Sequence, residues 1–228
     1  MIKALIVDDN LEYVKLILNR VLNKFQELHI EYVATTAQEA VEVIRKKQID
    51  IIFLDLRLPD KEGFYIIDEI KLLNLINFPY IIVISEDDRL IEKAKTKYSI
   101  FDVIRKLERE DLIFLKIKND LFEINYTKQE KQIKEFIISE LSNIGYNWKY
   151  KGTLYLFEAI LYIYQHNNMD LLDNVEKNVY KYISYKSGKG IVNIKTNIIK
   201  ATNSIKSKEN LTPKLVISNI ITKLVSGI

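Results

Sequence analysis

Asp8, Asp9, Asp55 and Lys106 are the residues of this 228-residue chain whose types and positions could do chemistry together. Asp8 and Asp9 follow the run Lys3–Val7, Asp55 follows Asp50–Leu54, and Lys106 comes after Phe101–Ile104. Runs of this kind, alternating with longer helical segments, read as buried parallel strands joined by helices. Ligands of such sheets bind outside the carboxyl ends of the strands, so the four charges are expected to converge on one edge. Three carboxylates there would raise one another's pKa unless a cation sat among them. Mg²⁺ suits the donors: it takes oxygen ligands and keeps several waters, so one or two carboxylates plus substrate oxygens suffice. A carboxylate is also a nucleophile toward phosphorus, which would make an aspartyl phosphate. Lys106 would neutralise that phosphate as a point charge. The Ser85 hydroxyl, at the end of a further apolar run, would hydrogen-bond one of its oxygens.

The elements that must position these groups follow from apolar periodicity. Strands are predicted over Lys3–Val7, Ile30–Ala34, Asp50–Leu54, Tyr80–Ser85 and Phe101–Ile104. Between them the pattern turns helical: Leu11–Gln26 behind an Asn10 cap, a helix to about Lys47 opened by a Thr36/Glu39 capping box, Phe64–Leu73, Leu90–Tyr98 and Glu108–Glu123. Pro59 and Gly63 shape the loop after the third strand. Strands alternating with helices imply an α/β doubly wound, five-stranded parallel sheet in residues 1–122. No Gly-rich phosphate loop follows the first strand, which argues against a nucleotide site.

Composition narrows the class. The chain has no cysteine, so disulfides and thiolate metal sites are excluded. The first apolar run is too short for a signal-peptide core and nothing approaches a membrane span, so the expectation is a soluble cytoplasmic protein without membrane contact. The net charge of +3 conceals a split. Residues 1–125 hold 19 Lys/Arg against 23 Asp/Glu, and residues 126–228 hold 15 against 8. A basic second half suggests a polyanionic partner.

A short polar linker is expected over 123–130, followed by an all-α domain over 131–228. Ile133, Phe136, Ile137 and Leu141 form one stripe that ends near Gly145. Thr153 is placed to cap Leu154–His166, a helix apolar nearly all round and hence buried. Asp170 or Asp173 would open a helix to about Lys186. The run Ser187-Gly188-Lys189-Gly190 then breaks the chain, Ile194, Ile198, Ala201 and Ile205 restart a helical stripe, and Thr212 and Pro213 open the last helix. Helix, Gly-containing turn and helix outline a helix-turn-helix.

The motifs ALIVDDN, IIFLDLRLPDKEG, IIVISE and FDVIRKL resemble the successive strand-end motifs of a two-component receiver domain, of flavodoxin-like fold, over about residues 1–120. The resemblance implies Asp55 as phosphoacceptor, Asp8 and Asp9 as the metal-binding acid pair, and the Arg57 backbone carbonyl as a further Mg²⁺ ligand. It also implies Ser85 as the switch hydroxyl, Lys106 as the phosphate-binding lysine, and no catalytic group beyond this site. Two positions depart from the family: Leu107 stands where proline is usual, and Val103 where an aromatic ring usually reports phosphorylation. Phe101 and Phe114 are the nearby rings.

WKYKGTLYLFEAILYIY is similar to the start of the DNA-binding domain of the sporulation-initiation master regulator, the stage 0 sporulation protein A family. The shared residues are Lys151, Gly152, Leu154, Tyr155, Leu156, Glu158, Ala159 and Ile160. That spacing brings the family's recognition helix onto about 192–205. Its base-reading Ser, Arg and Glu are absent here, residues 126–228 contain no arginine, and the segment before the last helix is shorter. Lys189, Asn193, Lys195, Thr196 and Lys200 are the candidates for contact with DNA phosphates and A·T-rich edges.

Together these readings imply a response regulator that takes phosphate from a sensor histidine kinase or phosphotransfer protein, forms a homodimer when phosphorylated, and binds DNA. The other reading open at this point is an output domain that has lost specific DNA binding and serves as a protein-interaction or phosphate-accepting module in a sporulation-like relay.

Overall fold

The structure, a computed structural model, describes residues 1–73, 75–205 and 211–227, which divide into two compact units, Met1–Tyr126 and Thr127–Ile228. In the first, strands β1 (Ile2–Val7), β2 (Leu28–Ala34), β3 (Ile51–Leu54), β4 (Tyr80–Ser85) and β5 (Asp102–Arg105) form one parallel sheet in the order β2-β1-β3-β4-β5. Helices α1 (Leu11–Arg20), α2 (Ala37–Lys46), α3 (Phe64–Leu72), α4 (Asp88–Lys97) and α5 (Glu110–Ile144) alternate with the strands. Strand side chains point to opposite faces in turn, and here both faces are covered. Leu5, Val7, Ile52, Leu54 and Val83 pack with α2, α3 and α4, whereas Ile6, Phe53, Ile82, Ile84 and Ile104 pack with α1 and α5. Burial on both sides is why the strands read as continuous apolar runs.

Several predicted boundaries shift for identifiable reasons. Asn10 caps α1 by accepting from the Tyr13 amide at 3.0 Å, but the helix stops at Arg20, not Gln26. Leu22 and Phe25 still bury, from a separate 3₁₀ turn over Leu22–Lys24 and the residue after it. Thr36 caps α2, accepting from the Glu39 amide at 3.1 Å. The Glu39 carboxylate, however, takes the Thr35 amide at 2.8 Å, and Asp60 satisfies the Ala37 and Gln38 amides at 2.8 and 3.0 Å. Asp87 caps α4 two residues earlier than expected.

Residues 123–130, expected to be a linker, are helical: α5 continues through them, and the boundary between the units falls inside it. The stretch holds no Pro or Gly to stop a helix, and just beyond it Lys134 pairs with Glu130 at 2.7 Å, one helical turn apart.

The second unit is helical, from the end of α5 through α6 (Lys151–Gln165), α7 (Lys181–Ser187), α8 (Ile191–Asn203) and α9 (Pro213–Gly227). Ile137, Leu141, Leu156, Ile160, Ile198 and Ile220 belong to its core. Thr153 is not a cap. It lies inside α6, which starts at Lys151, and its hydroxyl donates to the Asn147 carbonyl at 2.8 Å. A Cβ added at Gly152 would lie 1.9 Å from the Asn197 carbonyl oxygen, so glycine here lets α6 press against α8. Neither Asp170 nor Asp173 opens a regular helix. Asn168 caps a 3₁₀ turn over Met169–Leu172, and a π-helical turn over Glu176–Tyr180 leads into α7. Gly188 ends α7 in the left-handed region, with φ of 65°, as Gly145 does after α5 with φ of 105°. The segment expected to be shorter than in the sporulation family falls mostly on residues 206–210, outside the described residues.

Candidate functional site

The sheet register assembles the site. Val7 lies beside Leu54, and the Asp55 amide donates to the Val7 carbonyl at 2.8 Å, so the residues ending β1 and β3 stand side by side. On the other flank the Lys106 amide donates to the Ser85 carbonyl at 3.1 Å. Lys106 then reaches over both strands: its Nζ lies 2.7 Å from Asp8 Oδ2 and 2.6 Å from Asp55 Oδ2. Asp8, Asp55 and Ser85 are buried, while Asp9 faces solvent. Carboxylate oxygens of Asp8, Asp9 and Asp55 come within 4.8 Å of one another. Asp9, Asp55, Ser85 and Lys106 line an open groove with Arg57, Glu62, Asp87 and Lys93.

Three carboxylates stand together here with one ammonium, which pairs with Asp8 and Asp55. Burial pushes the Asp8 pKa up, the charge of Asp55 adds to this, and Lys106 opposes it. Burial pulls Lys106 down, but its hydrogen bonds to Asp55 and Asp8 outweigh that and leave its pKa raised. The pocket is therefore short of positive charge. Its donors are all oxygen, one of them open to water, which fits a hard divalent cation such as Mg²⁺.

Arg57 plays two visible parts. Its amide donates to Asp55 Oδ1 at 3.2 Å, and its guanidinium turns to Asp87, with Nε 3.0 Å from Oδ2. That guanidinium holds the Asp87 carboxyl below the usual carboxylate range. Asp87 also accepts from the Arg89 and Leu90 amides at 2.9 and 3.2 Å, and its own amide donates to Ser85 Oγ at 3.4 Å. The loops after β3 and β4 are thus tied together at the groove.

Three contributors were not assigned to the site from the sequence. Asp87 is one, although its position before an apolar period is a cap signal. Gly63 is another: a Cβ there would lie 2.5 Å from the Asp55 carbonyl oxygen, so only glycine lets α3 begin this close to β3. The third is Tyr13, whose ring centroid lies 4.9 Å from Lys106 Nζ. Burial and the charges of Asp8 and Asp55 hold its hydroxyl far above the usual phenol range. No spacing rule marks Tyr13.

The two departures from the receiver pattern differ in setting: Val103 is buried, whereas Leu107 is 85% exposed. Phe101 packs edge-on against Tyr80 at 5.0 Å, and Phe114 stacks on Phe25 at 4.9 Å, so both rings are engaged in the core.

In the second unit Lys189, Asn193, Lys195, Thr196 and Lys200 are all exposed, and all but Lys189 lie on α8. They do not converge as the first group does. Lys195 Nζ lies 2.5 Å from Glu176, and Asn193 accepts from Asn197 through its carbonyl and side-chain oxygens at 2.8 and 3.0 Å. The turn before α8 is closed by Ser184 Oγ donating to the Lys189 carbonyl at 2.6 Å.

The sequence profile of the response regulator receiver domain matches residues 4–118, and the chain belongs to this family. The response regulatory domain of protein mrkE from Klebsiella pneumoniae is 19% identical, with 55% of this chain and 99% of that one covered at a TM-score of 0.50. A two-component response regulator from Clostridium difficile is 22% identical over 55% of this chain and 99% of its own, with a TM-score of 0.46. A CheY-like receiver domain protein from Methanospirillum hungatei JF-1 is 22% identical over 56% and 98%, with a TM-score of 0.47. Among the described residues no helix is long and apolar enough to cross a membrane.

Proposed function

We propose that the chain is a phosphorylation-controlled response regulator in which Asp55 accepts the phosphoryl group. The observation that carries this reading is the convergence of Asp8, Asp9, Asp55 and Lys106 at the carboxyl ends of β1, β3 and β5. A divalent cation, Mg²⁺ in the first instance, would be held by Asp8, Asp9, Asp55 and the Arg57 carbonyl, and would supply positive charge to the incoming phosphoryl oxygens. An Asp55 carboxylate oxygen attacks phosphorus in phosphohistidine on a sensor kinase or phosphotransfer protein. A P–O bond forms and the P–N bond breaks, returning the electron pair to the imidazole. Lys106 exchanges its contact with Asp55 for the new phosphate, and the Ser85 hydroxyl donates to a phosphoryl oxygen. Phosphorylation would then shift an existing equilibrium toward a homodimer.

The second unit would read out this change by binding DNA through α7, the Gly188 turn and α8. Lys189, Lys195 and Lys200 would contact phosphates, with Asn193 and Thr196 at base edges. The resemblance to the sporulation regulator and the basic balance of residues 126–228 support this part. A second reading, an interaction or phosphate-accepting module in a relay, is favoured by Val192 and Ile199. They are exposed two turns apart on the face of α8 that would enter a groove.

Incubation with a small-molecule phosphodonor and Mg²⁺ tests the first part. Mass spectrometry should show one added phosphoryl group on the wild type and none on Asp55→Asn; equal labelling of both would overturn it. Selection from random DNA with and without phosphate separates the two readings of the second unit. Enrichment supports the regulator, and its absence at low salt supports the interaction module.

A further inference from the structure

We propose that residues 111–126 of α5 form a parallel, two-stranded coiled coil with a second copy of this chain. The inference rests on the homodimer part of the reading above and is independent of Asp55.

Within the first unit, Ile113, Ile117, Leu121 and Ile124 bury one face of α5 in the core. On the opposite face four large apolar side chains stand in solvent: Leu112 is 46% exposed, Leu115 52%, Phe122 74% and Tyr126 59%. With the exposed Asn119 they repeat at alternating intervals of three and four, which is the seam of a heptad with Leu112, Asn119 and Tyr126 at a and Leu115 and Phe122 at d. An isolated amphipathic helix would have spent its apolar residues on its own core. Here a second apolar stripe is left over, on the side facing away from that core.

The flanking charges select the occupant and its direction. Asp111 and Lys118 fall at g, and Lys116 and Glu123 at e. In a parallel pair each g residue meets the e residue five positions on in the other helix. That sets Asp111 against Lys116 of the second copy, and Lys118 against Glu123 of the second copy. Both are opposite-charge pairs, and the two-fold axis repeats each. In the protomer Asp111 meets Arg109 and Lys116 meets Glu108, both at 2.8 Å. The first is an exposed pair, whose exchange costs little; in the second the Glu108 side chain is only 21% exposed, so Lys116 has to reach the second copy without leaving it. A single asparagine at a favours two strands in one register, because its amide pairs with its own copy across the axis. The seam is short, but the helix is already formed by packing in its own unit, so dimerisation incurs no cost of nucleating it.

The chain has no cysteine, which makes a single introduced thiol a clean reporter. Full-length Asn119→Cys, mildly oxidised with and without beryllofluoride, should form a disulfide-linked dimer in at least one state, and Lys95→Cys on α4 should not. In sedimentation of the full chain, Lys118→Glu and Glu123→Lys should each weaken dimerisation about tenfold, two symmetric pairs changing sign in each case. The double variant should restore it. Cross-linking at Lys95→Cys alone, or failure of the double variant to recover, would overturn the parallel α5 seam. Lack of cross-linking in both states would do the same, whatever else binds that face. Phosphoryl uptake measured on the same samples reports separately on Asp55.

Discussion

The edge of the sheet and the exposed side of α8 carry similar numbers of polar residues under opposite physical conditions. At the sheet edge, Asp8, Asp55 and Ser85 are buried, and the two carboxylates share Lys106. Burying charge is expensive unless each group is paired, so packing stability alone gives no reason to keep four such residues there. On α8, Lys195, Thr196 and Lys200 sit in water, where a charge costs nothing and identifies nothing. A constrained cluster limits what the protein can do, whereas a solvated row is compatible with several partners.

Breaking the paired cluster should produce the largest effect. Lys106→Ala leaves two buried carboxylates without their cation, a loss on the order of 3 kcal/mol at neutral pH, read from urea midpoints. Millimolar Mg²⁺ should restore much of it, and if Mg²⁺ gives no recovery the acidic cluster is not a cation site. Next in size, Asp9→Ala should weaken Mg²⁺ binding by at least about tenfold, judged against the loss seen on removing even an outer partner of a metal ligand. Titration of the metal by calorimetry would measure it.

A smaller effect comes from Asp120 on α5, whose carboxyl burial and the neighbouring Asp102 push up to about 7. A carboxyl raised in the folded state stabilises in its protonated form. Stability should therefore fall as pH rises from about 4 toward 7. Asp120→Asn should remove that slope from a series of melting temperatures, and an unchanged slope would assign it elsewhere.

The smallest changes belong to α8. Lys195→Ala and Lys200→Ala should each shift stability by no more than about 0.5 kcal/mol. Each should also reduce the log–log salt slope of DNA binding by about one. Substitution of Asn193 or Thr196 by alanine should leave that slope alone and blur sequence preference. A large stability loss in any of these would mean that the two surfaces are less different than their burial indicates.

The same contrast explains what could be read from the sequence. The five strands, and the charges that end three of them, were legible because two-sided burial writes itself as apolar runs, and a charge ending such a run stands out. The placement of Thr153 failed because a threonine before an apolar run looks like a cap. Nothing local reveals that Gly152 starts the helix sooner in order to meet α8. The extension of α5 through 123–130 was missed because polarity was taken for irregularity, although those residues lack any helix breaker. Tyr13 could not be assigned to the site, since its relation to Lys106 exists only after β1, α1 and β5 have packed. The α8 candidates are where the apolar stripe of Ile194 and Ile198 places them, on the exposed side, yet that stripe is silent about what they touch.

Gly63 and Gly152 lead to an expectation about tolerance to change. Neither residue has a side chain to contribute, and each leaves no space for even a methyl group, against Asp55 in one unit and Asn197 in the other. In a saturation library scored for abundance, both positions should be as empty as the most deeply buried isoleucines. Scored for phosphate uptake, position 63 should be indistinguishable from position 55. A survey of variants would then rank as essential a residue that takes no part in the chemistry and contributes only the room in which it happens.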